Sequence, residues 1–129
     1  MKFGYKKQVP LSFVAAVEKA KKELANEGFG IITEINAKET FKKKLEVDFE
    51  NYIILGACQP ASAYKVLQID KELGLLLPCN VIIYEEDKKV YISAILPKTI
   101  MNGAGNEALD KIAQEIELKL RKVVDKIYN

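Results

Sequence analysis

Apolar residues recur along this chain with periods that switch between two and about four, and the switches mark its elements. Phe13, Val14, Val17, Ala20 and Leu24 fall on one helical face, with Glu18, Lys19, Lys22 and Glu23 largely on the other. Ser12 stands where its hydroxyl can accept a first-turn amide, and Gly28, just after Glu27, supplies the left-handed residue that ends a helix. Ahead of this helix the weak alternation of Phe3 and Tyr5 predicts a short, exposed strand within Met1 to Gln8, broken by Pro10. The β-branched run from Phe29 to Ile35 predicts a second strand. Asn36 can then cap a helix of about two turns while Glu39 reaches back, with Ala37, Phe41 and Leu45 as its apolar side.

Tyr52 to Cys58 is apolar on both faces, which predicts a central strand covered on at least one side; Gly56 within it allows a close backbone approach. Pro60 suits the first position of a helix that runs through Ala61, Tyr64 and Leu67 to about Ile69. One further turn follows from Asp70, stopped by Gly74, and then the apolar run Leu75 to Leu77. Cys79 to Glu85 and Lys89 to Ile95 flank the polar turn Glu86-Asp87-Lys88 and predict a hairpin. Pro97 to Gly105 reads as a loop or short turn with Gly103 and Gly105 as its flexible points. Asn106 can cap the last helix, whose stripe is the longest in the chain: Leu109, Ile112, Ala113, Ile116, Leu120, Val123, Val124 and Ile127.

The order β-α-β-α-β-α-β-β-α predicts an α+β fold rather than a doubly wound parallel sheet. We expect one domain over residues 1–129, built on a single mixed, mostly antiparallel sheet of about five strands. Helices should pack mainly on one face, with the long C-terminal helix laid across it. There is no internal repeat, linker or low-complexity segment.

Composition narrows the function. Hydrophobic residues at 49% and charged residues at 29% describe a soluble globular protein. A net charge of +2 is too small for an electrostatic nucleic-acid footprint, and the lysine clusters at 6–7, 21–22 and 42–44 read as solvated faces. MKFGYKKQVP lacks the apolar core of a secretory signal, and no apolar run approaches the roughly 18 residues of a membrane span. The expectation is a cytoplasmic protein with reduced thiols and no membrane or nucleic-acid partner. The chain has no histidine, which removes Ser-His and Cys-His nucleophile pairs and imidazole metal ligands. No phosphate-loop or nucleophile-elbow pattern occurs, and Gly103-Ala104-Gly105 reads as a hinge. No catalytic residue, metal or cofactor is assigned, and whether the protein is an enzyme stays open.

The two cysteines carry the remaining chemistry. Cys58 closes a strand and precedes a helix N-terminus, where the helix dipole lowers a thiol pKa; Cys79 opens another strand. The opposing reading makes both small buried hydrophobes. Two cysteines without histidine cannot complete a zinc site within one chain. If the intervening segment returns the chain antiparallel, Cys58, Gln59, Pro60, Pro78, Cys79 and Asn80 share one rim, and that rim is the expected ligand-binding site. Tyr64, Tyr84 and Tyr91 read as core or sheet-face residues, and Glu85, Glu86 and Asp87 as a solvated turn. The leading functional expectation is a binding module whose pocket, between the terminal helix and the sheet, takes a small apolar or anionic ligand near Cys58. The alternatives are a thiol-dependent redox or sensor protein using Cys58 with Cys79, and a structural homodimer without chemistry, served by an open edge strand and the off-stripe Leu118. On any of these readings the chain is expected to pair as a homodimer to protect its uncovered sheet edge.

Three long motifs carry a family resemblance: EGFGIITEINAKETFKKKLEVDF (27–49), YIILGACQPASAYKVL (52–67) and ELGLLLPCNVIIYE (72–85). Together they resemble the bacterial and archaeal domain-of-unknown-function family 302 over almost the whole chain. The resemblance implies a TATA-binding-protein-like α+β fold, which does not itself imply DNA binding, and it brings no activity with it. It also implies an acidic residue before the proline that ends the last strand, whereas this chain has Leu96-Pro97 there.

Overall fold

The computed structural model describes residues 2–101 and 105–127. Its elements are β1 (Gly4–Val9), α1 (Phe13–Asn26), β2 (Gly30–Asn36), α2 (Ala37–Leu45), β3 (Tyr52–Cys58) and α3 (Pro60–Ile69). A 3-10 helix (Lys71–Leu76), β4 (Cys79–Glu86), β5 (Lys89–Ile95), α4 (Pro97–Ile100) and α5 (Glu107–Asp125) complete the order. Three of the helices begin at the caps their sequences predict. Ser12 Oγ accepts the Ala15 amide, Asn36 Oδ1 that of Glu39 and Asn106 Oδ1 that of Leu109, each at 3.0–3.1 Å. At the other end of α1, Gly28 takes the left-handed conformation with φ +86°.

The strands form one sheet in the order β1-β5-β4-β3-β2, antiparallel at each of its four pairings, so no parallel pair interrupts it. Alternation then sorts the residues onto two faces. Ile53, Leu55 and Ala57 on β3, Cys79, Val81 and Ile83 on β4, and Val90, Ile92 and Ala94 on β5 point inward and are buried. They meet Ala16, Val17, Ala20 and Leu24 of α1 and Ile116, Leu120, Val123 and Val124 of α5 in the main core. A second, smaller cluster joins Val66 of α3, Met101, and Leu109 and Ala113 of α5.

A Cβ at Gly56 would collide with the Thr33 side chain on β2 and with the Pro78 ring, so any larger residue there would force both to move.

Two local expectations change. The turn from Asp70 continues as a 3-10 helix through Gly74 to Leu76, started by the Asp70 carboxylate, which accepts the Glu72 amide at 2.9 Å. The stretch after Pro97 begins as the four-residue helix α4 where the sequence predicts a loop or short turn, with Pro97 at its first turn, buried beside the second core cluster. Of the hinge expected at residues 103–105, Gly105 has φ +70°, and 103 and 104 lie outside the described residues.

Candidate functional site

The α3–3-10 segment returns the chain beside β3, and Ala57 pairs with Cys79 across the β3–β4 ladder. Both cysteines therefore lie at one end of the sheet, and both are free thiols. Cys58, Gln59, Pro78 and Cys79 converge on a cavity walled from the helical side by Met101, Ala113 and Ile116. That cavity measures about 20 Å³. It has room for about one water, and its apolar walls offer a water no partners. The other two residues expected there do not line it. Pro60 is exposed at the start of α3. Asn80 follows the inward Cys79 and so points to the outer face, opposite Gly56.

The polar groups at this end are engaged with each other. Gln59 Nε2 donates to the Glu27 carbonyl at 3.3 Å, while its Oε1 accepts the Ser62 hydroxyl at 2.8 Å. The Gln59 amide thus ties the start of α3 to the end of α1. Burial, and secondarily the nearby Cys58, pushes the Cys79 thiol up to about 11. At neutral pH it is a protonated, buried side chain and not a nucleophile.

The outer face of the sheet is different in character. The registers set Tyr52 opposite Tyr84 and Tyr84 opposite Tyr91, so three rings stand in a row across β3, β4 and β5. Adjacent centroids are 5.4 Å apart with planes within 26° of parallel. Phe49 extends the row at 6.1 Å from Tyr52, and Phe41 of α2 meets Phe49 edge-on at 5.1 Å. At the β1 end Lys6 Nζ lies 4.5 Å from the Tyr91 centroid and 5.3 Å from that of Tyr84. Contact with the Tyr84 hydroxyl holds the Lys6 ammonium above its usual pKa. Because the ring faces are turned to one another, the row stabilises the sheet as cross-strand pairs and presents ring edges to solvent.

Beside this row lies an open trough of about 850 Å³. Phe49, Tyr52, Ile82 and Tyr84 make its floor, and Asp48, Glu50, Glu85 and Glu86 stand against Lys38 around it. Lys42 pairs with Asp48 at 3.2 Å in full solvent, and Asn51 Nδ2 donates to Glu85 Oε1 at 2.7 Å. The arrangement can receive a positive charge attached to an apolar body. Sequence reasoning about single residues placed Tyr84 on a sheet face and Glu85 and Glu86 in a solvated turn, and it missed their meeting with Tyr52, Phe49 and Glu50. A signal was there: counting outward from the Asp87-Lys88 turn sets Tyr84 opposite Tyr91.

Among the described residues no helix is long and apolar enough to cross a membrane. A family model described as "Domain of unknown function DUF302" matches residues 5–127. Among solved structures, the fold is similar to the crystal structure of an uncharacterized conserved protein DUF302 from Bacillus stearothermophilus. The two align with a TM-score of 0.90 at 28% identity, covering 98% of this chain and 99% of that one. No curated protein matches.

Proposed function

The chain belongs to the DUF302 family, whose description carries no activity, and from that premise we propose that it is a binding module for a small organic cation. The ligand-accepting surface is the trough on the outer face of the sheet. The observation that carries this reading is the combination of an apolar, aromatic floor with the acidic residues Asp48, Glu50 and Glu86 against Lys38, in a space of about 850 Å³. Ligand sites have this form: mostly apolar walls with a few placed polar groups. Ile82 and the ring edges of Tyr52 and Tyr84 receive the apolar body. Glu50 and Glu86, exposed at the rim of the trough, receive the charge. The cavity beside Cys58 supports binding less well, since at about 20 Å³ it admits no molecule of ligand size. A thiol mechanism finds no support in Cys79, which stays protonated.

The test is a titration with phenethylamine, an ammonium on an aromatic body, against phenylacetate as the anionic counterpart, followed by tyrosine ring resonances. Phenethylamine is expected to shift Tyr52 and Tyr84 selectively, with affinity falling in salt and in Glu50→Gln and Glu86→Gln. Phenylacetate binding equally well, or no response to phenethylamine at millimolar concentration, would overturn the reading.

A further inference from the structure

We propose that the macromolecular partner of the outer sheet face is a second copy of this chain, with Lys6 of each copy entering the acidic trough of the other. This rests on the reading that the trough receives a positive charge, and it names the group that supplies one when no small cation is present.

The first argument is the uncovered surface. The main core takes its helical side from α1 and α5, which lie on the inner face. The outer face keeps Ile54 and Ile82 half-buried, with Phe3 64%, Ile35 48% and Phe49 44% exposed around them. These apolar residues are spread across the face from the β1 edge to the β2 edge, and a sheet face left this uncovered suits an interaction site.

The second argument is symmetry. β4 is the middle strand of the sheet, with β1 two strands to one side and β2 two strands to the other. Lys6 lies on the β1 side, near Glu86 at the β4 margin of its own trough; Asp48 and Glu50 lie beyond β4, ahead of Tyr52 on β3 and out on the far side. A two-fold axis running along β4 between two facing sheets lays the β1 side of one copy over the β3–β2 side of the other. The lysine of each copy is then carried to the acidic rim of its partner, and the contact occurs twice, as a self-complementary interface requires. Lys6 is suited to it: the rings of Tyr84 and Tyr91 hold its ammonium above the outer face, where it remains exposed.

Between exposed groups such a pair contributes little by itself. The apolar face supplies the affinity and the charges fix the register and the choice of partner. Since partner lysine and small cation use one trough, binding of either opposes the other by mass action.

The experiment is sedimentation equilibrium of the full chain at low salt. The wild type is expected to dimerise, with salt weakening the dimer only modestly and phenethylamine dissociating it by competition. Lys6→Glu and Glu50→Lys should each weaken the dimer by about tenfold or more, as removal of interfacial charge complementarity does. The double variant Lys6→Glu/Glu50→Lys restores opposite charges across the same contact and should regain the dimer. Leu118→Lys, on the helical side, should leave it unchanged. Both Lys6 and Glu50 are exposed, and matching melting curves will show the variants folded. A wild type that stays monomeric, a double variant no better than either single one, or a dimer lost in Leu118→Lys would overturn the proposal. A monomer that still binds phenethylamine sinks this inference and leaves the ligand reading standing; a monomer that does not bind it sinks both.

Discussion

Replacing Ile116 by Asp tests the placement of α5 most sharply. Ile116 is 7% exposed, packs in the main core and forms part of the wall of the small cavity. Truncation alone should cost about 2–5 kcal/mol, the range for buried aliphatic side chains. The upper half of that range is expected, because the lost volume merges with a void of about 20 Å³ already present. The carboxylate adds the penalty of an unpaired buried charge, several kcal/mol more. Among the described residues that line the cavity, Gln59 is the one non-cysteine polar side chain, and its amide is engaged by Glu27 and Ser62. The total approaches the whole stability of an ordinary domain, about 5–15 kcal/mol.

The charge component has a pH signature. Burial raises the folded-state pKa of the introduced carboxyl above its unfolded value of about 3.9, so the folded protein holds the proton over a window in which the unfolded chain has lost it. Stability of the variant therefore falls as pH rises through that window, and its deficit is larger at neutral pH than near pH 4. Urea unfolding followed by far-ultraviolet circular dichroism at both pH values measures this, with Ile116→Asn as the uncharged control. A variant within about 0.5 kcal/mol of wild type at neutral pH, the spread of ordinary surface changes, would refute the packing of α5. A deficit equal at both pH values would refute the burial of that position.

Asn106→Ala removes the side chain that accepts the Leu109 amide at 3.0 Å and should lower stability by about 1 kcal/mol in a thermal melt. Ala57→Val places methyl groups against the cavity and should be neutral or stabilising. Ala20→Val, in the same core but not lining that cavity, should cost about 1–3 kcal/mol by overpacking; calorimetry will separate them. Cys79, with its thiol raised to about 11, should resist alkylation in the native protein at mildly alkaline pH, read by mass spectrometry, and react once the chain is unfolded. Since the unfolded thiol ionises first, this group makes stability decline between its unfolded pKa, about 8.5, and its folded value of about 11, an effect that Cys79→Ala should remove in denaturant titrations across that range.

The parts of this fold that are legible in the sequence are those set by neighbours along the chain. Ser12, Asn36 and Asn106 act on amides three residues away, and the stripe from Leu109 to Ile127 needs only the helical period to be read. α4 was hidden because its four residues follow the packing of Pro97 and Met101 beneath α5, a tertiary effect with no periodicity to detect. The meeting of Cys58, Gln59, Pro78 and Cys79 could be anticipated once an antiparallel return was assumed. Asn80 was misplaced because the alternation of β4 was not applied there: Cys79, Val81 and Ile83 go inward, so Asn80, Ile82 and Tyr84 cannot. The trough was illegible for a different reason. It draws on the chain after α2 and on two strands, and only their register brings Glu50, Tyr52 and Glu85 together.

The strand order has a kinetic consequence. β4 and β5 are joined by the Asp87-Lys88 turn and pair at once, and β3 reaches β4 across one short helical segment. β1 has no such neighbour: its sheet partner is β5, so Gly4 must find Ile95 after nearly the whole chain has been arranged between them. The entropic cost of closing a loop grows by about 0.6 kcal/mol for each doubling of its length, which places the β1–β5 ladder late on the folding route. Substitutions in β1 should therefore accelerate unfolding while leaving the refolding rate nearly untouched, whereas substitutions in the β3–β4–β5 meander should slow refolding. The earliest strand in sequence order is, by this topology, the last to take its place in the sheet.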